Sequence, residues 1–475
     1  MKKQNKNLLY NIAYQILLFI VPLITTPYIS RQLGVNNIGI YSYTYSFVSY
    51  FMLAALLGIN NYGAREIAKC KTSEKTSKTF LSIYTLQVIL TIICTTIYLL
   101  SIFFLPFKDK TIMVIQCINL LSVMLDVNWF FIGKENFKII VTRNTLIKII
   151  STIAIFCFVN GKDDLWIYTM ITSISTVLGQ LCLFPLLKKE IKSIKICAKD
   201  VIQHLHSCLV LFIPVIAYSI YRIMDKTMIG TFTDTIELGN YESAEKVINI
   251  PVSIITAFGT VMLPYMSKKK GSEIKNSLDI NFELILFIIL PILVGLFIIS
   301  EDFALLFFGQ EYKKTGIIIK LLLPSVLFAS IANVIRTNFL IPRRQDNIYI
   351  MSTICGAVVN FVLNILFIPH LGAIGACIGT IAAEFTVMIY QIAHTYMIIN
   401  FRNILKYLIK YLIPSFLCGI GAYIIGRIIQ SPLFKISAQI LIATIIYATI
   451  NIRYIRVFIG KSQEERRITN EKIKS

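Results

Sequence analysis

Acidic side chains are scarce here: 25 Asp and Glu stand against 46 Lys and Arg. Histidine is rarer still, with only His204, His206, His370 and His394. No two of them sit four apart, so the helical HExxH zinc site is missing. There is no GxxxxGK(S/T) loop to cradle phosphates, which excludes ATP hydrolysis by this chain. There is no GxSxG elbow either. Ten cysteines occur, none at CxxC spacing, so neither a disulfide framework nor a zinc site is indicated. Eight of them (Cys94, Cys117, Cys157, Cys182, Cys208, Cys355, Cys377 and Cys418) lie in apolar stretches, where a thiol acts as a small hydrophobe. Long polar stretches are lacking as well. The longest gaps run about 61–79, 188–204, 231–246 and 267–281, too short for a soluble catalytic domain or a large acidic outer loop. The expectation is a protein that is not an enzyme and needs no cofactor or metal.

What the chain does have is apolar length. Hydrophobic residues make up 56% of it and mean hydropathy is +0.72, above the roughly 45–50% apolar content of soluble domains. About fourteen stretches can each span a bilayer: 8–28, 38–60, 80–105, 111–132, 139–159, 165–187, 205–230, 247–266, 282–300, 316–340, 348–369, 371–398, 408–429 and 437–452. The first is too long for a signal-peptide core and lacks a small-residue cleavage site, so it stays as a span. The expected fold is therefore an all-α polytopic membrane protein.

The positive charge is sorted by side. Alternate gaps and the two ends carry about 32 Lys and Arg, and the opposite gaps only about 9. Such residues favour the cytoplasm, which predicts both termini inside. A net charge of +21 would suggest nucleic acid in a soluble protein. Here topology and anionic headgroups account for it, and no nucleic-acid partner is expected.

Some charges fall inside the apolar runs, where each costs roughly 2.5–3.5 kcal/mol on insertion scales. Lys148, Arg222, Lys226 and Arg336 are the cations, with Arg31 at an outer span end. Asp126, Asp225 and Glu384 are the carboxylates. Asn11 with Gln15, Asn333 with Arg336 and Thr337, and Asn360 with Asn364 repeat at helical spacing and add polar lining. The pattern predicts a water-filled cationic pathway suited to phosphate. The bland alternatives are Arg222 with Asp225, Lys148 with Asp126, and Arg336 reaching to the inner surface. Pro22, Pro214, Pro251, Pro291, Pro324 and Pro414 lie within apolar runs, where each permits a kink. Tyr28, Tyr41, Tyr43, Tyr45 and Tyr50 crowd the first two spans and read as packing and interface anchors before sugar-stacking platforms.

A faint repeat is present. Phe19-Ile20-Val21-Pro22, Arg31 and Gly39-Ile40-Tyr41 are echoed by Phe212-Ile213-Pro214, Arg222 and Gly239-Asn240-Tyr241, about 200 residues later. Six spans separate the copies, so both keep the same orientation. The expected division is an N-lobe over 1–200, a C-lobe over 201–400, two further spans over 401–452 and a cytoplasmic tail over 453–475.

The stretch Pro22-Leu23-Ile24-Thr25-Thr26-Pro27-Tyr28-Ile29-Ser30-Arg31-Gln32-Leu33-Gly34, then Gly39-Ile40-Tyr41-Ser42 and Tyr62-Gly63-Ala64-Arg65-Glu66, resembles the opening of Wzx-type polysaccharide repeat-unit flippases. So do Asp126 with Trp129-Phe130-Phe131, Asp225-Lys226, Met262-x-Pro264, and Asn360-x-x-x-Asn364 leading to Glu384. The resemblance implies the superfamily of multidrug and lipid II exporters, with two six-helix lobes in a V around a central cavity and two extra C-terminal helices. It implies a substrate of undecaprenyl diphosphate bearing an oligosaccharide repeat, moved from the cytoplasmic to the outer leaflet for capsule, exopolysaccharide or O-antigen-type polysaccharide. Membrane lipids, polysaccharide polymerase and glycosyltransferases are the implied partners, and the bacterial cytoplasmic membrane the implied location. Arg31, Arg65, Arg143, Lys148, Arg222, Lys226 and Arg336 are the expected substrate contacts, and Asp126, Asp225 and Glu384 the expected ion-coupling carboxylates. Rival readings are a multidrug or lipid II exporter of the same fold, a membrane glycosyltransferase or polymerase, and a non-transporting scaffold. A drug exporter calls for an acidic or apolar cavity, a polymerase for a large outer loop, and a scaffold leaves the intramembrane charges unexplained.

Overall fold

The computed structural model describes the backbone of residues 2–454 and 456; within that range the side chains of 2–20, 211, 213–218, 220 and 221 fall outside the description. Asn11 and Gln15 are among these, outside the described residues. Every regular element described is helical. In order these are α1 (Lys2–Leu56), α2 (Ile59–Ala68), α3 (Ser73–Phe104), α4 (Lys110–Met124), α5 (Asn128–Gly133), α6 (Phe137–Phe158), α7 (Leu165–Leu181) and α8 (Phe184–Glu190). They continue as α9 (Ala198–Phe232), α10 (Thr235–Lys268), α11 (Ser272–Phe307), α12 (Lys313–Ile335), α13 (Asp346–Leu371), α14 (Ala373–Thr395), α15 (Phe401–Ile428) and α16 (Pro432–Ile450).

Twelve segments among the described residues are long and apolar enough to cross a membrane. Helix α1 is two spans, because its backbone leaves helical geometry at Gly34 (φ 77°, ψ 169°), a conformation open to glycine. With that division and α9, the tally reaches about the fourteen expected from the apolar runs. The break in α1 thus falls at a glycine, while Pro22 and Pro27 lie within the helix. Local chemistry sets other ends. Thr72 caps α3 by accepting from Lys75 N at 3.3 Å. Pro106 follows the extended Leu105 that closes α3. Helix α10 begins at Thr235, twelve residues before the apolar run that announced it, since hydropathy marks only its lipid-depth portion.

The chain divides into two units. Unit 1 comprises Met1–Glu242 and Phe361–Ala376, and unit 2 Ser243–Asn360 and Cys377–Ser475. In unit 1, Trp129 is fully buried against Phe80 and Phe130. Its ring lies over Gly63, where a methyl group would come within 2.5 Å of it. Gln87 accepts from the Trp129 indole N–H (3.0 Å) and donates to the Val123 (2.5 Å) and Asp126 (2.9 Å) carbonyls, so the polar groups of this deep junction are satisfied. In unit 2 the last two spans are fastened to α11. Lys410 Nζ and Tyr411 OH both reach Glu283 Oε1, at 2.6 and 2.8 Å, and Tyr447 OH donates to the Phe287 carbonyl at 2.7 Å.

The repeat copies meet in unit 1. A carbon added to Gly39 would lie 1.7 Å from the Thr235 carbonyl oxygen; one added to Gly239 would lie 2.0 Å from the Val35 carbonyl oxygen. The second half of α1 and the start of α10 therefore touch backbone to backbone, each through its copy of the Gly-x-Tyr unit. Only residues without a side chain permit that approach.

Gly39→Ala is expected to destabilise the detergent-solubilised protein by about 1–3 kcal/mol, as overpacking does. Gly161→Ala, where an added carbon meets nothing within 4 Å, is expected to stay within about 0.5 kcal/mol of wild type. Thermal unfolding of the two variants tests this, and equal midpoints would show that the crossing carries no such constraint.

Candidate functional site

The Gly39–Gly239 crossing sets the register of the polar groups beside it. Three residues beyond each glycine, Ser42 Oγ donates to Glu242 Oε2 at 2.9 Å. The same oxygen takes Lys226 Nζ from α9 at 2.7 Å. Lys226 and Glu242 side chains are only 21% and 17% exposed, so the pair sits in a medium where charges must compensate each other. The preceding residues form a second group. Asp225 is 4% exposed and accepts from Tyr241 OH (2.9 Å) and from Asn364 Nδ2 (2.6 Å). Neighbouring residues of α9 are thus met by neighbouring residues of α10. Arg222, one turn earlier, is half-buried and also engaged.

A second cluster joins α5, α6 and α7. Arg143 donates to Gly179 O (3.0 Å), Gln180 Oε1 (2.9 Å), Asn128 Oδ1 (3.0 Å) and Asn144 Oδ1 (2.5 and 3.1 Å). Asn128 in turn donates to Asp126 Oδ1 from its backbone N–H (3.0 Å) and its amide (2.7 Å). The planar fork of arginine can serve three helices at once.

Lys148 lies one turn further along α6. The exposed residues Leu146, Ile149, Ile150 and Ile153 form the stripe of this helix suited to lipid. Arg143, Asn144, Lys148, Ser151 and Thr152 occupy the other, half-buried stripe. Ser151 and Thr152 turn their hydroxyls to the Lys148 carbonyl and leave the ammonium alone. Among the described residues no carboxylate pairs with Lys148, and Asp126, one sequence-stated alternative, is held by Asn128 instead.

The remaining expected residues are more scattered. Arg31 and Arg65 are exposed; Arg65 sits beside Glu66 at 3.4 Å and over the Tyr62 ring at 5.6 Å. In unit 2, Arg336 opens a π-helical turn, Arg336–Leu340, and its guanidinium lies 5.4 Å from the Tyr349 ring centroid. Thr337 donates to the Asn333 carbonyl at 2.7 Å. Both face Gly259 of α10, where an added carbon would come within 2.7 Å of Asn333 Oδ1. Asn360 is fully buried in α13 and Glu384 is half-buried in α14. Sequence reasoning did not select Ser42, Tyr241, Glu242, Asn128 or Gln180 as site residues, although Ser42 and Tyr241 stand in its motifs. For Ser42 and Glu242 the signal existed: they are equivalent positions of the repeat, 200 residues apart.

The model of a family described as polysaccharide biosynthesis protein matches residues 5–270. A protein of Escherichia coli strain K12 named as an O-antigen transporter is 24% identical over 402 residues, covering 80% of this chain and 93% of that protein. The lipid II flippase MurJ of Bacillus subtilis is 25% identical over 194 residues, 38% of this chain and 35% of that one. Among solved structures, lipid II flippase MurJ in an inward closed conformation superposes with TM-score 0.80 at 16% identity, over 95% of this chain and 100% of that chain. An inward-facing multidrug transporter of the MATE family follows at TM-score 0.59 and 14% identity, over 79% and 93%. At such identities these two establish a shared fold.

Arg143→Ala and Arg143→Lys are both expected to lower the unfolding midpoint, the fold losing about 1–3 kcal/mol with the hydrogen bonds to half-buried groups. One ammonium cannot reproduce the spread of the guanidinium. Full stability of Arg143→Lys in a thermal unfolding assay would show that charge alone holds α5, α6 and α7 here.

Proposed function

The chain belongs to the polysaccharide biosynthesis protein family, and from that premise we propose that this multi-pass membrane protein is a flippase for undecaprenyl-diphosphate-linked oligosaccharide repeat units. The observation that carries this reading is Lys148: an ammonium within an apolar helix, on the stripe turned from lipid, with no carboxylate partner among the described residues. An uncompensated intramembrane cation is costly and marks a path for an anion. The diphosphate of a lipid-linked glycan supplies that anion, while the prenyl tail stays in lipid.

The carrier is moved from the cytoplasmic to the outer leaflet by alternating access between N-lobe and C-lobe spans. Lys and Arg asymmetry puts both termini in the cytoplasm. Arg222 and Lys226 extend the basic path, and Arg336, which stacks on Tyr349, contributes a second cation from the later spans. Asp225, held by Tyr241 and Asn364, is the favoured ion-coupling carboxylate, with Asp126 and Glu384 as further candidates. The product feeds a polymer of capsule, exopolysaccharide or O-antigen type, which makes glycosyltransferases and a polymerase the functional partners. The chain itself performs no catalysis. A second reading, lipid II export, is favoured by the superposition on MurJ; it shares the anionic diphosphate and differs in the sugar.

A strain lacking the protein is expected to accumulate lipid-linked repeats on the cytoplasmic leaflet, and normal polymer export there would refute the assignment. In proteoliposomes, Lys148→Ala combined with Arg222→Ala is expected to slow translocation of a prenyl-diphosphate oligosaccharide by about tenfold or more, the loss of at least one charge-assisted contact. An undiminished rate would remove the cationic path. Offering lipid II in the same assay separates the two readings.

A further inference from the structure

The tyrosines of the first two spans do not share one role. Tyr28 OH donates to the Val159 carbonyl at 2.7 Å. Tyr43 packs its ring over Gly230 and meets Thr231 Oγ1 at 3.4 Å. Tyr50 OH accepts from Thr227 at 3.3 Å. These three are built into helix contacts. Tyr45 is different. Its hydroxyl bonds no other side chain or carbonyl among the described residues, and the residue is 40% exposed.

That exposure is not part of a lipid-facing stripe. A lipid-facing helix shows a stripe of exposed apolar residues, as α6 does with Leu146, Ile149, Ile150 and Ile153. Along 37–60 every other residue is buried or half-buried, and Tyr45 alone is exposed. A single open residue on a helix otherwise covered by its neighbours is placed to meet a solute rather than a row of lipid chains. The ring is held flat by its neighbour one turn away: Tyr41 and Tyr45 centroids lie 5.8 Å apart at 9°, and Tyr168 braces Tyr41 at 4.9 Å. Charges flank it. Ser42, on the same face as Tyr45 at a spacing of three, bonds Glu242, which pairs with Lys226.

We propose that Tyr45, braced by Tyr41 and Tyr168 and flanked by the Lys226–Glu242 pair, is a saccharide-contacting subsite that takes one pyranose ring of the transported glycan. The proposal rests on the flippase reading and names the part of the substrate this wall meets. A pyranose has an apolar C–H face that lies on an aromatic ring and an edge of hydroxyls that both donate and accept. Tyr45 offers the flat face and an unclaimed hydroxyl. Glu242 accepts and Lys226 donates at the edge. Aromatic surface with a few polar groups fixing orientation is the usual construction of a small-ligand site. A subsite of this kind would discriminate by sugar, which a cationic path for diphosphate cannot do.

The test uses full-length protein in nanodiscs and two synthetic probes, a prenyl diphosphate bearing a disaccharide and the same prenyl diphosphate without sugar. Wild type is expected to bind the glycosylated probe more tightly. Tyr45→Ala is expected to lower the ratio of the two affinities about five- to tenfold, the loss of one aromatic stacking contact. Tyr45→Phe, which keeps the ring and loses one hydroxyl contact, is expected to lower the ratio only about two- to threefold. Where Tyr45→Ala fails to fold, Tyr45→Leu fills similar volume without a π face and gives the same comparison. An unchanged ratio in Tyr45→Ala or Tyr45→Leu, with the bare diphosphate still bound by wild type, would overturn the subsite and leave the flippase reading standing. Failure of wild type to bind either probe would overturn both.

Discussion

The backbone contact between Gly39 and Gly239 governs the polar architecture of unit 1. Two helices touching main chain to main chain cannot slide past one another without driving a side chain into a carbonyl, so their register is fixed. With the register fixed, Ser42 falls opposite Glu242, and Tyr241 turns to Asp225. Lys226 and Asn364 then complete the two groups from α9 and α13. Two carboxylates and a cation are thereby satisfied inside a helical packing that water-starved surroundings would otherwise forbid. The chain of cause runs from a missing side chain, to a close approach, to a charge that can stay buried.

The protein treats its intramembrane charges in two ways. Asp225, Lys226, Glu242 and Arg143 are tied into networks that hold helices together. Lys148, among the described residues, is left with its ammonium uncompensated, and Arg336 has an aromatic face as its charge-accepting neighbour. Networks stabilise and open cations recruit; Lys226, with 21% of its side chain exposed, is proposed to serve in both. The second kind is what a transporter of an anionic head requires, and its energetic cost is the reason such residues are informative.

Much of this was legible in the sequence. Spans are announced by apolar length, and all of the expected runs correspond to helices or helix parts. The repeat was legible through Gly39 and Gly239, although its meaning was not: nothing in a single sequence says that the two copies press together. Glu242 and Tyr241 escaped selection because α10 starts above the apolar run and its first turns read as a loop. Asn364 was named as lining, but its bond to Asp225 joins residues 139 apart, a distance that helical periodicity cannot bridge. Lys148 was picked out by depth alone. That its helix turns it away from the lipid stripe emerges only when Leu146, Ile149, Ile150 and Ile153 are seen exposed together.

The crossing is also reciprocal. Val35 lies on Gly239 as Thr235 lies on Gly39: position 35 meets the copy of position 39, and position 39 meets the copy of position 35. Were the two stretches on separate chains, this reciprocity would be that of an isologous homodimer with its dyad between the glycines. Within one polypeptide the two sides need not be identical, and here they differ: at one of the paired sites the first copy has Ser42 and the second Glu242. A pseudo-symmetric contact within one chain is thus a place where asymmetry, and with it direction, can be written.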